Sequence, residues 1–551
     1  MQSSEVSNAS EKPAENLAPP GPVPPAVETE LPQGLKLATI LACLFATFFI
    51  VALDRTIVGI AIPAITNDFH SIDDIGWYGS AFLLPGCSFM LLYGKLYQVY
   101  PVKPIYLSCI FLFEVGSAVC GSAPNSAALI VGRAIAGLGQ AGLLPGTVMI
   151  LIHTIPLAKR PLYQGVLGAA FGLASVAAPL LGGAFTDRVS WRWCFYINLP
   201  FGGVVIVALY FLLHIPPITR YKDLTFREQF VRLDPIGTVL FVSGVVCLLL
   251  ALQWGGVEHP WSSGQVIACL TLASVLLVAF MVLQPFLEPA KATIPLRVIN
   301  QRSIAGAIWF SFCLGSSMTV VSYYVAIWFQ AIKGLSAVDA GIRMLAIILP
   351  LVFGSIGGGI VTNRIGYYTP TIIASSIFIA IGTALLTIWK VDSSAGEWIG
   401  FQVIAGLGIG MGTQQPNLCM QTVLSRQDVG VGTSLVFFAQ TLGGSVFLSV
   451  AQNVFASAFS KDLANIQGID PAALISAGAT ALRGLVEPGQ LGAVLNAYNS
   501  SLVNSFIVAA AVGGASLIGA LTIEWRSIKK GEGQGEKKEA EAEKVEGKAA
   551  E

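Results

Sequence analysis

Apolar residues occur along this chain in runs of about twenty, and short polar segments separate one run from the next. A run of that length is what an α-helix needs to cross the hydrocarbon core of a bilayer. Fourteen such runs are counted, centred near residues 48, 84, 113, 139, 172, 204, 244, 274, 316, 350, 380, 407, 441 and 512. The pattern predicts an all-α polytopic membrane protein with 14 transmembrane helices.

The composition supports a lipid environment. Of the 551 residues, 54% are hydrophobic and only 11% are charged, against the roughly 25% charged residues of soluble domains. The formal net charge is zero, so nothing indicates a nucleic-acid partner. The nine cysteines lie within apolar runs without metal-ligand spacing, and we expect small core residues, no metal site and no cofactor.

The two ends of the chain are polar. Residues 1–33 are rich in Pro, Glu and Ser, and residues 526–551 alternate Lys and Glu, so we expect two disordered tails and no removable signal peptide. Thirteen basic residues fall in the even-numbered connections between runs and six in the odd-numbered ones. The positive-inside rule therefore places the even connections and both tails in the cytoplasm.

Part of the sequence repeats. The pentad IAGLG occurs at residues 135–139 and again at 404–408, and three further pairs recur at an offset of 265: Pro85 and Pro350, Gly94 and Gly359, Gly165 and Gly430. This spacing predicts two related halves separated by two additional helices, which is a 6 + 2 + 6 arrangement. The predicted segments are residues 34–215 for the first half, 216–302 for the central pair with its loops, and 303–525 for the second half, with an extracytoplasmic loop at 457–502.

Four segments carry a family resemblance: LDRTIVGIAIP at 53–63, GRAIAGLGQAGLLPG at 132–146, GLASVAAPLLGG at 172–183 and WRWCFYINLP at 191–200. Together they resemble the fourteen-span drug:proton antiporter branch of the major facilitator superfamily, and most closely its fungal multidrug or toxin efflux carriers. The resemblance implies the major facilitator fold, a plasma-membrane location, function as a monomer, and export of an amphipathic organic compound in exchange for protons.

Two segments depart from that family's pattern. The loop after the second span usually carries an aspartate and an arginine pair, whereas KLYQVYPVKP follows Gly94 here. In the fifth span, Ala178 stands where a glycine is expected before Pro179.

Five charged residues lie inside predicted spans: Asp54, Arg55, Glu114, Arg133 and Arg343. A charge at the centre of a bilayer costs about 2.5–3.5 kcal/mol on insertion scales, so such residues are paired or line a polar cavity. Asp54 and Glu114 can bind protons, and Arg133 can hold a neighbouring carboxylate ionised. We predict proton coupling at Asp54, Arg133 and Glu114; the alternative is a structural ion pair or, for Glu114, a hydrogen bond between helices.

Polar and aromatic residues within the spans are candidates for binding the substrate, since they suit a roomy amphipathic pocket. They are Gln140, Tyr323, Tyr324, Trp328, Gln330, Gln414, Gln415 and Asn417. Hydrogen bonding between helices is the alternative role for them.

A further set of residues is predicted to shape the fifth span through close packing and a bend. This set comprises Gly168, Gly172, Pro179, Gly182 and Gly183. In addition, Asn499-Ser-Ser is a possible N-glycosylation sequon in the predicted extracytoplasmic loop.

Other functions remain open at this point. Relatives in the same branch include uptake carriers for basic amino acids in the vacuole and for siderophores, so a vacuolar membrane is the alternative location. A membrane receptor or an enzyme is the alternative outside transport. An enzyme would need a catalytic cluster, but the four histidines are far apart in the sequence and no nucleophile motif accompanies them. No ATP-binding loop is present, so an ion gradient is the expected energy source.

Overall fold

The computed structural model describes residues 32–71, 74–215, 225–256, 258–288, 291–464, 466, 486 and 489–529. Every regular element in these residues is a helix. The α-helices are α1 Gly34–Phe69, α2 Ile75–Ser88, α3 Met90–Val99, α4 Val102–Ser122, α5 Ser126–Thr154, α6 Arg160–Arg188, α7 Trp193–Tyr196, α8 Asn198–Leu212, α9 Phe226–Val231, α10 Pro235–Trp254, α11 Gly264–Leu283, α12 Leu296–Ile299, α13 Arg302–Ala331, α14 Ala337–Arg343, α15 Leu345–Ile365, α16 Thr369–Leu386, α17 Ala395–Gly412, α18 Gln415–Val423, α19 Val429–Leu463 and α20 Leu491–Thr522.

Thirteen helices of the described residues are long and apolar enough to cross a membrane, which confirms a polytopic α-helical membrane protein. Some of these spans consist of two consecutive helices, such as α2 with α3 over Ile75–Val99. The predicted span near residue 407 is present as α17, which packs against α15 and α16 but is not among the thirteen. The count of 14 and the 6 + 2 + 6 arrangement therefore stay predictions.

The helices pack as two groups. In the first group α4 lies against α5, α1 against α6, and α8 against both α1 and α4; in the second, α13 lies against α19 and α20, and α17 against α15 and α16. The groups meet where α6 packs on α15 and where α3 packs on α19. Between them in sequence, α10 and α11 form a pair, and α10 contacts α2 and α19.

The repeated pentad has the same packing role in both groups. A Cβ atom added at Gly139 would lie 2.6 Å from the backbone nitrogen of Phe113 on α4, and one added at Gly408 would lie 2.6 Å from the backbone nitrogen of Ile379 on α16. Only a glycine lets two helix backbones approach this closely. The pentad therefore sets an equivalent close helix contact in each group, as the predicted repeat requires.

The other repeated glycines meet across the interface of the two groups. A Cβ at Gly94 would lie 3.2 Å from the carbonyl oxygen of Gly430, and a Cβ at Gly359 would lie 3.4 Å from Cα of Gly165. Gly94 thus contacts Gly430, the counterpart of Gly165 in the second repeat, and Gly165 contacts Gly359, the counterpart of Gly94. This reciprocal pairing is what a pseudo-twofold relation between the groups produces.

Asp234 fixes the central pair α10 and α11. It has φ of 51° and is 4% exposed, and it caps α10 by accepting a hydrogen bond from the Gly237 amide at 2.8 Å. Its other oxygen accepts from Gln284 Nε2 and Thr293 Oγ1, both at 2.8 Å. The carboxylate therefore ties the start of α10 to the end of α11 and the segment that follows.

Two predicted boundaries are wrong within the described residues. Because α19 extends to Leu463 and α20 begins at Leu491, helix covers both ends of the predicted loop 457–502. The predicted disordered tail 526–551 starts with ordered residues: Ile528 is buried, and its amide donates to the Gly366 carbonyl at 3.0 Å. The predicted tail 1–33 and residues 530–551 lie almost entirely outside the described residues.

Candidate functional site

A cavity of about 610 Å³ lies between the two groups of helices. Both groups contribute to its wall, the first through α1, α5 and α6 and the second mainly through α13, α15 and α19. The lining is largely apolar, with aromatic side chains from both groups, namely Phe48, Phe171, Tyr323 and Phe437. A cavity of this volume and character suits an organic molecule of drug size.

Arg55 is the only charged side chain among the residues that line this cavity. It is partly exposed, and it makes neither an ion pair nor a hydrogen bond with the part of the chain that the structure describes. The remaining polar lining consists of amides, hydroxyls and one phenol. Within the described residues, the cavity wall therefore carries one positive charge and no negative one.

The neighbouring residue, Asp54, is buried inside the first group, where it forms an ion pair with Arg133 of α5. The Arg133 Nη1 to Asp54 Oδ2 distance is 2.5 Å, and each residue is 1% exposed. Arg133 also donates from Nε to the carbonyl oxygen of Tyr78 at 3.0 Å and lies over the Phe82 ring, 4.2 Å from its centre. The arginine is thus held on several sides.

Helix periodicity explains why two adjacent residues have such different surroundings. Successive residues on an α-helix point about 100° apart. On α1, Asp54 faces α5 and α8, whereas Arg55 faces the cavity. A single turn of α1 therefore contributes both to the buried ion pair and to the cavity wall.

Asn198, at the start of α8, completes the environment of Asp54. Its Nδ2 donates to Asp54 Oδ1 at 3.1 Å and to Ser117 Oγ at 3.0 Å, and the residue is fully buried. Asn198 lies in the segment WRWCFYINLP but is not among the functional residues predicted from the sequence. An asparagine within an otherwise apolar run was the available signal.

Glu114 is the third predicted coupling residue. It is 7% exposed, and neither carboxylate oxygen has a hydrogen-bond partner among the described residues. It lies within electrostatic range of Asp54 and against Gly202 of α8. The structure thus brings all three residues into one region, with Asp54 and Arg133 paired and Glu114 beside them.

A hydrogen-bonded chain leads from the end of the first group towards Arg133. The Tyr78 hydroxyl donates to Ser126 Oγ at 2.9 Å, and Ser126 in turn donates to the Asp74 carboxylate. The Tyr78 carbonyl accepts from Arg133. Tyr78 therefore contacts the polar groups near the α1–α2 connection through its hydroxyl and the buried pair through its backbone carbonyl.

The eight predicted substrate-binding residues fall into two sets. Gln140, Tyr323, Gln330 and Gln414 line the cavity. The other four, Tyr324, Trp328, Gln415 and Asn417, are buried and absent from its lining. For this second set the structure supports the alternative role, hydrogen bonding and packing between helices: Gln415, for example, accepts from Thr362 Oγ1 at 3.1 Å.

Asn499 is not in a loop. It lies in α20 at 8% exposure, its Oδ1 accepts from Trp328 Nε1 at 2.8 Å, and its Nδ2 donates to the Trp389 carbonyl at 2.9 Å. A glycan would have to be attached to that same buried nitrogen. The prediction of a glycosylation site is therefore wrong for this folded state, and Asn499 instead joins α20 to α13 and to the segment that follows α16.

Most of the predicted packing residues of α6 lie against neighbouring helices, and their packing role stays a prediction. A Cβ at Gly172 would lie 2.5 Å from Val352 on α15, and one at Gly182 would lie 3.0 Å from Ile57 on α1, while Gly168 is equally tight against Ser355. Pro179 lies inside α6 and lines the cavity. Gly183 has open space where a side chain would be, so its predicted packing role is wrong.

The loop that departs from the family pattern still connects the two groups. Gln98 on α3 donates to Asp428 Oδ1 at 3.3 Å, and Arg297 Nη2 donates to the same oxygen at 2.9 Å. Lys95, fully buried, donates to the Ala292 carbonyl at 3.0 Å. Hydrogen bonds to Asp428 thus connect the two groups at the position where the family pattern has an aspartate and an arginine pair.

The remaining charged candidate, Arg343, lies at the end of α14. Its guanidinium is 5.6 Å from the centre of the Trp398 ring and 5.9 Å from that of Phe329. It does not line the cavity.

Comparison with known proteins gives consistent relatives. The family model described as Major Facilitator Superfamily matches residues 44–448. The chain is 50% identical to "Efflux pump aflT" of Aspergillus parasiticus over 499 residues, which is 90% of this chain and 97% of the relative. It is 45% identical to "Rubrofusarin-specific efflux pump aurT" of Gibberella zeae over 502 residues, covering 91% and 92% of the two chains.

Solved structures share the fold at low sequence identity. The proton:xylose symporter XylE has a TM-score of 0.57 at 13% identity, covering 91% of this chain and 99% of the symporter. A bacterial homologue of the human lysosomal transporter Spinster, in an inward-facing and unoccupied conformation, has a TM-score of 0.54 at 16% identity, covering 89% and 98%.

Proposed function

The chain belongs to the major facilitator superfamily, and we propose that it is a secondary active transporter that exports amphipathic organic compounds in exchange for protons. The observation that carries the proposal is the position of the buried Asp54–Arg133 pair directly beside the cavity between the two groups of helices. Export requires a compound site and a proton site that communicate, and α1 contributes to both.

Asp54 is the proposed proton site, with Arg133 as its partner. Of the two, only the carboxylate can change charge, because an arginine keeps its proton under all ordinary conditions. Protonation of Asp54 removes the attraction that holds Arg133, so the proton changes the contact between α1 and α5. The chain of Asp74, Ser126 and Tyr78 is the proposed route by which protons approach.

The cavity is the proposed compound site. Its volume of about 610 Å³ and its mostly apolar wall match an organic molecule of drug size. A site for a simple ion or a sugar phosphate would be smaller and more polar. The relatives named as efflux pumps, one of them rubrofusarin-specific, favour secondary metabolites or toxins as the compounds exported.

We place both termini in the cytoplasm from the distribution of basic residues in the sequence. A plasma-membrane location and function as a monomer are proposed from the family resemblance. Uptake of basic amino acids into a vacuole is disfavoured, because a cationic substrate would meet a cavity in which Arg55 is the only charged residue among those that the structure describes. Siderophore uptake differs from export in direction, so a transport assay with defined orientation distinguishes the two.

The test uses purified protein in liposomes with an imposed pH gradient, and it follows a neutral fluorescent probe, anthracene-2-carboxamide. We expect gradient-driven movement of the probe by the wild type and loss of the gradient dependence in Asp54→Asn. Asp68→Asn is the matched control, since Asp68 lies on the same helix at 50% side-chain exposure in a surface ion pair.

Each result has a defined meaning. If Asp54→Asn transports as the wild type does and Glu114→Gln loses the gradient dependence, the proton site is Glu114. If the wild type moves the probe equally with and without the gradient, proton-coupled export is refuted.

A further inference from the structure

The single positive charge of the cavity points to a substrate class that the proposed function leaves open. Arg55 has no protein counter-charge among the described residues, although it lies inside a membrane-spanning helix. An uncompensated charge in that environment is costly, and the cost is recovered when a ligand brings the opposite charge.

We infer that the compounds exported through this cavity are amphipathic organic acids, aromatic molecules whose carboxylate or ionised phenol binds the guanidinium of Arg55. This inference rests on the proposed function and deepens it. Arginine is suited to this task, because its planar fork donates two parallel hydrogen bonds to a carboxylate and keeps its charge at every physiological pH.

Gln140 is a second polar group in the same part of the cavity. It is 3% exposed, and its Oε1 has no hydrogen-bond partner among the described residues. It lies against Gly86 on α2, and Arg55 is within electrostatic range of the next residue, Cys87. A buried acceptor without a donor is costly unless water or a hydroxyl group of the ligand donates to it.

The remainder of the wall suits the apolar body of such an acid. Tyr323 and Phe437 of the second group and Phe48 and Phe171 of the first offer aromatic faces. Charge recognition therefore comes from the first group alone, and apolar contact comes from both. A cation of the same shape would be repelled by Arg55 and would find no carboxylate in the lining.

The test compares three probes with one ring system: anthracene-2-carboxylate, anthracene-2-carboxamide and 2-(aminomethyl)anthracene. Their binding to the purified full chain is measured by titration calorimetry at neutral pH. We expect the carboxylate to bind the wild type best, and its affinity to fall about 10- to 100-fold in Arg55→Gln, as expected for loss of a charged hydrogen bond. Arg55→Lys keeps the charge and should lose less.

Two controls separate charge recognition from misfolding. The carboxamide should bind wild type and Arg55→Gln with equal affinity, which also shows that the variant is folded. Arg227→Gln removes an exposed arginine that does not line the cavity and should leave carboxylate binding unchanged.

The outcomes separate this inference from the proposed function. Equal affinity of the wild type for carboxylate and carboxamide, or unchanged carboxylate binding in Arg55→Gln, overturns the inference while gradient-driven carboxamide movement still supports export. Conversely, Arg55-dependent carboxylate binding in a protein that moves no probe under a pH gradient would establish the acid site and refute proton-driven export.

Discussion

Replacement of Asp54 by asparagine leaves Arg133 as a buried cation without a counter-charge. The asparagine oxygen can still accept the hydrogen bond from Asn198. In place of the other carboxylate oxygen, however, there is an NH₂ group. This group faces Arg133 Nη1, which in the wild type donates to the carboxylate at 2.5 Å. The substitution therefore removes one interaction and creates a donor-to-donor contact.

The size of the effect follows from burial. Both residues are 1% exposed, and removing one partner of a buried ion pair costs about 3–5 kcal/mol. The entropy of unfolding grows with chain length. In a chain of this size, a loss of one kcal/mol in the free energy of unfolding therefore lowers the unfolding temperature by about 1–2 °C. We expect the unfolding temperature of Asp54→Asn to fall by about 3–10 °C in detergent.

A double-mutant cycle isolates the pair. In Asp54→Asn with Arg133→Gln no unpaired charge remains, so the double variant should be less destabilised than the sum of the two single variants, with a coupling energy of about 1–3 kcal/mol. Unfolding is followed by the intrinsic fluorescence of the purified variants, with the exposed pair of Asp68 and Arg192 as the comparison cycle. Exposed pairs contribute about 0–1 kcal/mol.

Additive effects at Asp54 and Arg133 would refute the reasoning. Additivity would mean that the two charges do not stabilise each other in the folded protein. A shift of Asp54→Asn no larger than that of Asp68→Asn would have the same consequence.

Four further substitutions test other parts of the structure. Gly139→Ala should lower the unfolding temperature, because overpacking at a backbone contact of 2.6 Å costs about 1–3 kcal/mol, whereas Gly183→Ala, into open space, should be neutral or stabilising when measured in the same way. Tyr78→Phe removes the hydroxyl that donates to Ser126 and should slow proton-driven transport in liposomes while probe binding measured by calorimetry stays unchanged. Asp428→Asn weakens the contact with Gln98 across the interface and the neighbouring contact with Arg297, and we expect faster proteolysis of the intact protein at that interface; unchanged proteolysis would contradict a linking role.

Most of the architecture followed from the sequence because lipid imposes a simple rule. Backbone groups in a bilayer must be satisfied within helices, so long apolar runs have one structural solution. The repeated pentad was informative for a related reason: its glycines mark positions where another backbone passes, and Gly139 and Gly408 meet equivalent helices.

The site was predicted less well, since sequence periodicity does not show which neighbour a buried side chain meets. Asp54 and Arg133 were paired correctly because charges in a bilayer need partners. Trp328 and Asn499 were assigned to a pocket and a loop, yet they bond to each other at 2.8 Å in the interior. Such contacts cannot be predicted from the sequence, because the same residue types form hydrogen bonds between helices and line cavities.

Arg55 shows the limit of that rule most clearly. It was noted as a charge inside a span, but no partner was available in the sequence, and the structure provides none among the described residues. If the partner is the transported compound, the two charges of one helical turn have separate tasks: Asp54 responds to protons and Arg55 to the substrate. Because the two residues are consecutive on α1, any rotation or shift of this helix that follows protonation of Asp54 also moves Arg55. Proton binding and release of the compound would then be coupled through a rigid element, without a longer pathway between the two sites.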